Sequence, residues 1–381
     1  MKRGMILVLL CFYFCSCAPK QDKVEKTTEN GVEIVVSHLE PYKIRGEPTN
    51  LTLEKELSID LAREDIAKLG LADIYSFGVD SEGNIYILNG KQVEYFIFKF
   101  DKNGRFVKFF GRKGQGPGEL EWTLSVGFDS QSNVIVSDPG NRKLAIFSPR
   151  GDLIRETQFP KTVYSLYPLD NKEFIAYWRK WTSPTDDYFY DHFSLYDSEL
   201  QEIRLLDACR WPNPRKFGIR GPRLNRVFNW KKSGDRIYIG NEDRGYEILV
   251  FDWDGNVLRK IRKDHEPVKV QISEEDKKKI IDERRGLKVL FPKFWTPFGS
   301  FFADEEGRLY VQTYEMGEVP NEYIYDIFNR DGIFISRKSL PIRPAVDIEG
   351  DAVAKKGRLY CVIEKETGYK ALVVYRMIWK K

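Results

Sequence analysis

Histidine, methionine and cysteine are all scarce in this chain, whose 381 residues contain three histidines, four methionines and five cysteines. The histidines His38, His192 and His265 are far apart, so no segment has the ligand spacing of a zinc site. Three scattered histidines also give no basis for a Ser-His-Asp arrangement. We therefore assign no catalytic residue, no metal site and no cofactor from the sequence.

A dominant charge of one sign is also lacking, because 61 basic residues are nearly balanced by 57 acidic ones and the net charge is only +4. This balance does not favour a nucleic-acid partner. Aromatic residues, in contrast, are abundant, with 25 phenylalanines and 20 tyrosines. Such residues favour β-strands over helices, so we expect an all-β protein with a large apolar core.

The apolar run at residues 5–14 is too short to cross a bilayer and has the length of a signal-peptide core. It follows Lys2 and Arg3 and ends in Ser16-Cys17, which resembles a bacterial lipoprotein signal. This resemblance implies a lipidated Cys17 and a protein anchored in the bacterial cell envelope, at the outer membrane. The alternative is an ordinary cleaved signal peptide.

The predicted organisation is therefore a lipoprotein signal peptide at 1–17, a polar tether at 18–31 and one domain at 32–381. Two cysteines lie within that domain, Cys209 and Cys361, and they fall in different repeats of the sequence. We expect two separate buried thiols rather than a disulfide.

The domain consists of repeats, each begun by a turn residue and an apolar–aromatic pair. Six copies occur, at residues 83–86, 133–135, 173–175, 235–238, 307–310 and 357–360. Each is followed by a second β-rich run, and all but the last then have a polar turn and a further strand. Repeats of this kind predict a six-bladed β-propeller of four-stranded blades. The sixth copy lacks its final strand, which the run Leu57 to Leu61 would supply, closing the ring. Two or three separate β domains are the alternative.

Several phrases also resemble known repeats. The segments FKFDKNG at 98–104 and FGRKGQGPGE at 110–119 look like NHL-type repeats. Together with the signal and with FPKF at 291–294, they resemble a family of bacterial six-bladed β-propeller lipoproteins. The resemblance covers the chain from Val32 onward and implies the fold. It implies no activity, because that family has no established common one.

Strand order predicts which face of the disc carries function. Within a blade, the turns from the first to the second strand and from the third to the fourth lie on one face, because antiparallel strands alternate in direction. These turns are short here, and we call this the turn face. The long insertions (179–191, 208–226, 263–299 and 315–321) belong to the opposite, long-loop face. Long loops on a rigid scaffold are frequent binding sites. Residues 273–285 in one insertion predict a helix capped by Ser273, with Ile280 and Ile281 against the scaffold.

Basic and aromatic residues alternate in the insertions of the third repeat, with no acidic residue between Cys209 and Lys232. The candidate ligand-binding residues are Trp178, Trp181, Arg210, Trp211, Arg215, Arg220, Arg223 and Trp230. Arginines can hold carboxylates or phosphates while aromatic rings stack on a ligand. The alternative is a solvated basic loop whose aromatic rings pack beneath it.

The sequence thus favours a membrane-tethered extracytoplasmic binding module, with an acidic glycan or protein as its partner. A propeller-type lyase or hydrolase acting on a glycan or peptide is the alternative.

Overall fold

The computed structural model describes residues 24–90, 94–159, 163–169, 173–180, 183, 185–219, 227–283, 288–319, 322–342, 352–365 and 367–380, together with the backbone of Arg220. The fold is an all-β propeller, as predicted. Three strands and a short helix precede the first blade: β1 (Glu25–Glu29), β2 (Val32–Ser37), β3 (Asn50–Asp60) and α1 (Glu64–Ala67).

The first three blades follow in sequence, each as a four-stranded antiparallel sheet. Blade one contains β4 (Ser76–Val79), β5 (Ile85–Leu88), β6 (Tyr95–Phe100) and β7 (Phe106–Arg112). Blade two contains β8 (Ser125–Phe128), β9 (Val134–Asp138), β10 (Lys143–Phe147) and β11 (Leu153–Gln158). Blade three contains β12 (Val163–Pro168), β13 (Phe174–Lys180), β14 (Tyr188–Tyr196) and β15 (Glu202–Pro212).

Longer links lead into the last three blades. The helix α2 (Pro214–Phe217) and the strand β16 (Ile219–Arg220) precede blade four. Blade four contains β17 (Phe228–Ser233), β18 (Arg236–Asn241), β19 (Glu247–Phe251) and β20 (Val257–Lys263), with a 3₁₀ turn at Glu242–Arg244. The link to blade five holds α3 (Glu274–Glu283) and β21 (Val289–Leu290), which pairs with β16. Blade five contains β22 (Phe301–Ala303), β23 (Leu309–Met316), β24 (Tyr323–Phe328) and β25 (Phe334–Leu340). Blade six contains β26 (Ala352–Lys355), β27 (Arg358–Glu364) and β28 (Lys370–Lys380).

The N-terminal strand β3 is the fourth strand of blade six, as the sequence predicted. It pairs antiparallel with β28 from Asn50↔Lys380 to Asp60↔Ala371. The innermost strand of blade six, β26, contacts β4 of blade one. The first and last blades are therefore joined, and β28 is left with no open edge.

The hairpin of β1 and β2 was not anticipated. It extends blade four outward, because β2 pairs in parallel with β20. Glu25–Glu29 lies inside the stretch predicted as a polar tether, yet it forms β1. An ion pair between Glu29 and Lys260 holds this added edge, with a distance of 2.8 Å between Oε2 and Nζ.

The core lies between neighbouring blades. Ile87 of blade one belongs to the same cluster as Leu372 of blade six, and Ile175 of blade three packs in a cluster with Ile239 of blade four. Because each blade is covered on both faces, its second strand is rich in apolar residues; in blade one, all four residues of Ile85–Leu88 are buried.

The tight turns share one hydrogen-bonding pattern. In the first, the Asp80 carboxylate accepts bonds from the backbone amides of Glu82 and Asn84, both at 2.9 Å. Gly83 then takes a φ of 93°, a left-handed conformation that glycine adopts without strain. Asp101, Asp129 and Asp197 accept the same pair of bonds in other turns. These aspartates explain why the turn phrase recurs.

The helix α3 and the unpaired state of the two cysteines of the domain were predicted from the sequence. The Ser273 hydroxyl accepts a hydrogen bond from the Asp276 amide at 3.0 Å, which confirms the predicted N-cap of α3. The prediction that Ile281 faces the scaffold is wrong, because its side chain is 49% exposed and α3 contains no buried residue. Cys209 and Cys361 are buried thiols rather than partners in a disulfide, as expected.

Candidate functional site

Blade three has longer strands than the sequence suggested, and they take up part of its predicted loops. The strand β13 continues to Lys180, β14 begins at Tyr188, and β15 reaches Pro212. Trp178, Arg210 and Trp211 are therefore strand residues near the long-loop face. They were expected on flexible insertions, but ladder hydrogen bonds fix their backbones.

Trp178 and Arg210 lie on the same side of blade three. Trp178 pairs with His192, which pairs with Ala208, two residues before Arg210. The Trp178 ring stacks on the His192 ring with 3.9 Å between centroids, and its Nε1 donates to the Ser194 hydroxyl at 2.9 Å. Trp178 is thus held inside the blade as a packing residue.

Trp211 points to the other side, because neighbouring residues of a strand alternate between faces. Its ring is nearly parallel to that of Phe189, with 6.1 Å between centroids. Trp230 lies farther away, on the innermost strand of blade four, and contacts Tyr167 edge-on at 4.9 Å. The structure therefore does not bring these tryptophans together in one site.

The remaining predicted residues belong to the link between blades three and four. Arg215 is exposed in α2. Arg220 contributes its backbone to β16, and its side chain lies outside the described residues. Trp181 and Arg223 also lie outside the described residues.

An exposed patch of aromatic rings and arginine does form on blade three. The Arg210 guanidinium lies 4.4 Å from the centre of the Tyr188 ring, and Tyr188 stacks on Phe217 of α2 with 5.9 Å between centroids. The exposed fractions of Tyr188, Tyr190 and Phe217 are 37%, 37% and 41%. We call Tyr188, Tyr190, Arg210 and Phe217 the blade-three patch. It presents flat apolar surfaces beside a cation.

A buried carboxylate, Asp191, lies on the opposite side of blade three. Asp191 is fully buried and accepts bonds from the Tyr177 hydroxyl at 2.6 Å and from Arg179 at 2.5 and 2.8 Å. Burial and the Asp191 charge raise the pKa of the Tyr177 hydroxyl above its ordinary value. The period-two alternation of a strand could have placed Tyr177 and Arg179 on one face.

Blade five contains a similar buried carboxylate, Asp326. It accepts hydrogen bonds from the Tyr246 hydroxyl at 2.9 Å and from Arg337 at 3.0 Å, and Lys263 lies 3.4 Å away. Burial and Asp326 raise the pKa of Tyr246 well above its ordinary value. Both oxygens of Asp326, like those of Asp191, face protein donors. The Asp191 network joins two strands of blade three, whereas the Asp326 network joins blade five to blade four.

A cleft of about 540 Å³ opens beside the N-terminal hairpin, lined in part by Leu39, Tyr246, Arg262, Lys263 and His265. Its cations already have acidic neighbours: Arg262 contacts Glu247 at 2.5 Å and Glu29 at 2.9 Å. The cleft therefore does not present an uncompensated positive charge.

The glycine-rich segment between blades one and two is a structural link. The Glu119 carboxylate accepts a bond from the Gly116 amide at 2.9 Å and lies where a side chain at Gly114 would have to fit. Asp138, at the end of β9, accepts bonds from the amides of Glu121 and Trp122 at 3.1 and 2.9 Å. These side chains fix the course of the link.

Within the described part of the chain, no group of three or more His, Cys, Asp or Glu side chains is arranged to hold a metal ion. The helices described there are also too short or too polar to cross a membrane.

Comparison with known proteins agrees with the fold. A family model described as a 6-bladed beta-propeller (DUF5128) matches residues 74–206, which is most of blades one to three. The chain is also similar in structure to a Bacteroides fragilis protein whose name suggests export, with a TM-score of 0.53, 12% identity and coverage of 91% of this chain and 100% of that one. A member of the duf4221 family from Bacteroides vulgatus gives a TM-score of 0.50 and 13% identity, covering 88% of this chain and 100% of that one. No curated protein sequence matches this chain. At these identities the similarity establishes the six-bladed propeller fold, and nothing more.

Proposed function

We propose that this protein is a lipid-anchored, extracytoplasmic binding module that recognises an acidic ligand through the blade-three patch. The ligand class is an acidic glycan, such as a uronate-containing oligosaccharide, or an acidic protein segment. The observation that carries the proposal is the exposed stack of Arg210, Tyr188 and Phe217 on the long-loop face. The buried carboxylates Asp191 and Asp326 are occupied by protein donors, so neither supports the lyase or hydrolase alternative.

The location in the bacterial cell envelope, at the outer membrane, rests on the N-terminal signal and on Cys17. The export suggested by the name of the Bacteroides fragilis protein supports the same compartment. Residues 1–23 lie outside the described part of the chain.

The physical case for an acidic ligand is the arrangement of the patch. A guanidinium lying on an aromatic ring is pre-oriented, so it loses little freedom when it binds a carboxylate. The exposed face of Phe217 or Tyr190 can stack on a sugar ring or pack against an apolar stem.

The test is binding of uronate oligosaccharides and their neutral counterparts to the wild type and to Arg210→Ala. One charge-assisted bond contributes about 1.5–3 kcal/mol, so the variant should bind the acidic ligand about 10- to 150-fold more weakly. Raising the salt concentration should also weaken binding by the wild type, because the patch is exposed to solvent.

Arg150→Ala is the matched control, because Arg150 is an exposed arginine in a turn on the opposite face. It should bind as the wild type does. Phe217→Ala tests the contribution of the ring. The proposal would be contradicted if the wild type bound acidic oligosaccharides, neutral oligosaccharides and acidic protein segments equally well. It would also be contradicted if Arg210→Ala and Arg150→Ala weakened binding to the same extent.

A further inference from the structure

Exposed apolar side chains are unevenly distributed over the described surface of the disc. Ten of the large exposed ones lie in loops of the long-loop face or at strand ends beside it: Leu39, Trp122, Tyr188, Tyr190, Phe217, Ile281, Phe294, Met316, Val319 and Tyr369. The other seven lie on the fourth strands of blades one to four, at the side of the disc: Val107, Phe109, Leu153, Ile154, Ile203, Leu205 and Leu258. Among the described residues, the turn face has none.

The described chain begins at the same long-loop face. The strand β2 runs parallel to β20, which ends at this face, so the antiparallel β1 must start there. His38 holds the start of β1 in place: its ring nitrogens lie 3.6 Å from the Glu25 carboxylate and 2.9 Å from that of Asp264. The preceding segment therefore leaves the propeller beside blade four, at the long-loop end.

The length of that segment limits how the disc can be held. Seven residue steps separate Cys17 from Val24, and an extended chain covers at most about 25 Å in that number of steps. A seven-residue strand such as β13 already spans about 20 Å. A segment that starts at the long-loop face would therefore need most of its maximum length to reach the turn face. This length disfavours an anchor beneath the turn face and favours the long-loop end of the disc beside blades four and five.

Four exposed apolar side chains lie in this sector: Leu39, Phe294, Met316 and Val319. The segment that carries Phe294 is fixed to blade five by the stacking of Trp295 on Tyr314, with 4.5 Å between ring centroids. Lys293 lies 5.2 Å from the Phe294 ring centre, an arrangement in which an apolar ring can enter the lipid interface while its cation remains in the headgroup layer. We call these four residues the apolar rim.

We propose that the apolar rim docks on the phospholipid bilayer that holds the anchor, so that the propeller contacts the membrane through the blade-four and blade-five sector of its long-loop face. This inference rests on the lipid anchor of the proposed function. It is separate from the blade-three patch, because it concerns other residues and another partner. The rim side chains are 38% to 59% exposed, and the bilayer interface would cover that apolar surface.

The test uses the full lipidated protein reconstituted in vesicles of phosphatidylethanolamine and phosphatidylglycerol. A single environment-sensitive fluorophore is attached at Met316→Cys or, as the control, at Val107→Cys. Met316 and Val107 are 59% and 50% exposed, but Val107 lies on the outermost strand of blade one. We expect a blue shift and quenching by spin-labelled lipid at position 316 and neither effect at position 107. A melting curve for each variant confirms that it is folded.

The outcomes separate the two proposals. If the protein floats with the vesicles but the labels at positions 316 and 107 behave alike, the docking inference is wrong and the lipid anchor is still supported. Failure to float would overturn the anchor and the inference together. A further variant, Met316→Asp with Val319→Asp, should still float and should lose quenching of a label at Phe294→Cys.

Discussion

Single buried carboxylates have a large effect on the stability of this propeller, and Asp191 is the clearest example. Its partners Tyr177 and Arg179 come from the neighbouring strand β13, and removing the carboxylate would leave the partly buried Arg179 without its ion pair. Breaking a buried pair costs about 3–5 kcal/mol, whereas an exposed pair contributes about 0–1 kcal/mol.

We therefore expect Asp191→Ala to lower the free energy of unfolding by about 3–5 kcal/mol, measured by urea denaturation. The matched control is Asp187→Ala, whose carboxylate is 59% exposed and pairs with Lys216. Its effect should stay below about 1 kcal/mol. Similar losses in the two variants would contradict the structural role given to Asp191.

A second effect at the scale of residues concerns pH. Burial lowers the pKa of His192 below its ordinary value of 6.5. The unfolded chain therefore binds more protons than the folded one once the pH falls below 6.5, and the stability decreases as the pH falls through this window. His265, whose pKa is also lowered by burial, acts in the same direction.

The variant His192→Phe keeps a ring against Trp178 but cannot titrate. Between about pH 7.5 and pH 5, its unfolding free energy should fall less steeply than that of the wild type. The slope that remains would belong largely to His265, so the double variant His192→Phe with His265→Phe should be flatter still. Parallel curves for all three proteins would refute this assignment.

At the scale of elements, the strand β3 contributes more to the stability of blade six than its distance in sequence from that blade suggests. Its side chains Leu51 and Ile59 are 0% and 1% exposed, and it covers the edge of β28 over ten residue pairs. The strand β1, in contrast, is exposed along its whole length and forms the outer edge of blade four.

Truncation separates these two elements. A chain that starts at residue 32 loses β1, and its melting temperature should change by only a few degrees. A chain that starts at residue 62 loses β3 as well. Loss of buried Leu51 and Ile59 alone costs about 2–5 kcal/mol each, which approaches the whole stability of a typical domain. Thermal unfolding followed by circular dichroism provides the measurement. Equal melting temperatures would mean that β3 does not close the ring.

At the scale of the whole molecule, the proposed lipid anchor would determine where the propeller acts. Replacement of Cys17 with Ala should release the protein from the membrane fraction and abolish incorporation of labelled fatty acid. Cys15→Ala is the matched control, because it removes the neighbouring thiol and should leave anchoring intact. Incorporation of the label into Cys17→Ala would show that Cys17 is not the modified residue.

The fold could be predicted from the amino-acid pattern, because the signals for its turns and strands are local and recur in every blade. Each blade carries its own turn residues, such as Gly83 after Asp80 in blade one, and a second strand that begins with an apolar run, such as Ile85–Leu88. Closure by an N-terminal strand could also be predicted, because the sixth copy ends without a fourth strand and a blade needs one to cover its edge.

The candidate site and the position of the N-terminal hairpin could not be predicted in this way, because they depend on strand lengths and on partners distant in sequence. The extension of β15 to Pro212 places Arg210 and Trp211 on opposite faces of blade three, whereas composition alone had grouped them. The parallel pairing of β2 with β20 places the start of β1 at the long-loop face, and no local pattern specifies that pairing. Long-range pairing of this kind is set by which surfaces remain uncovered once the blades have formed, and a linear sequence does not display those surfaces.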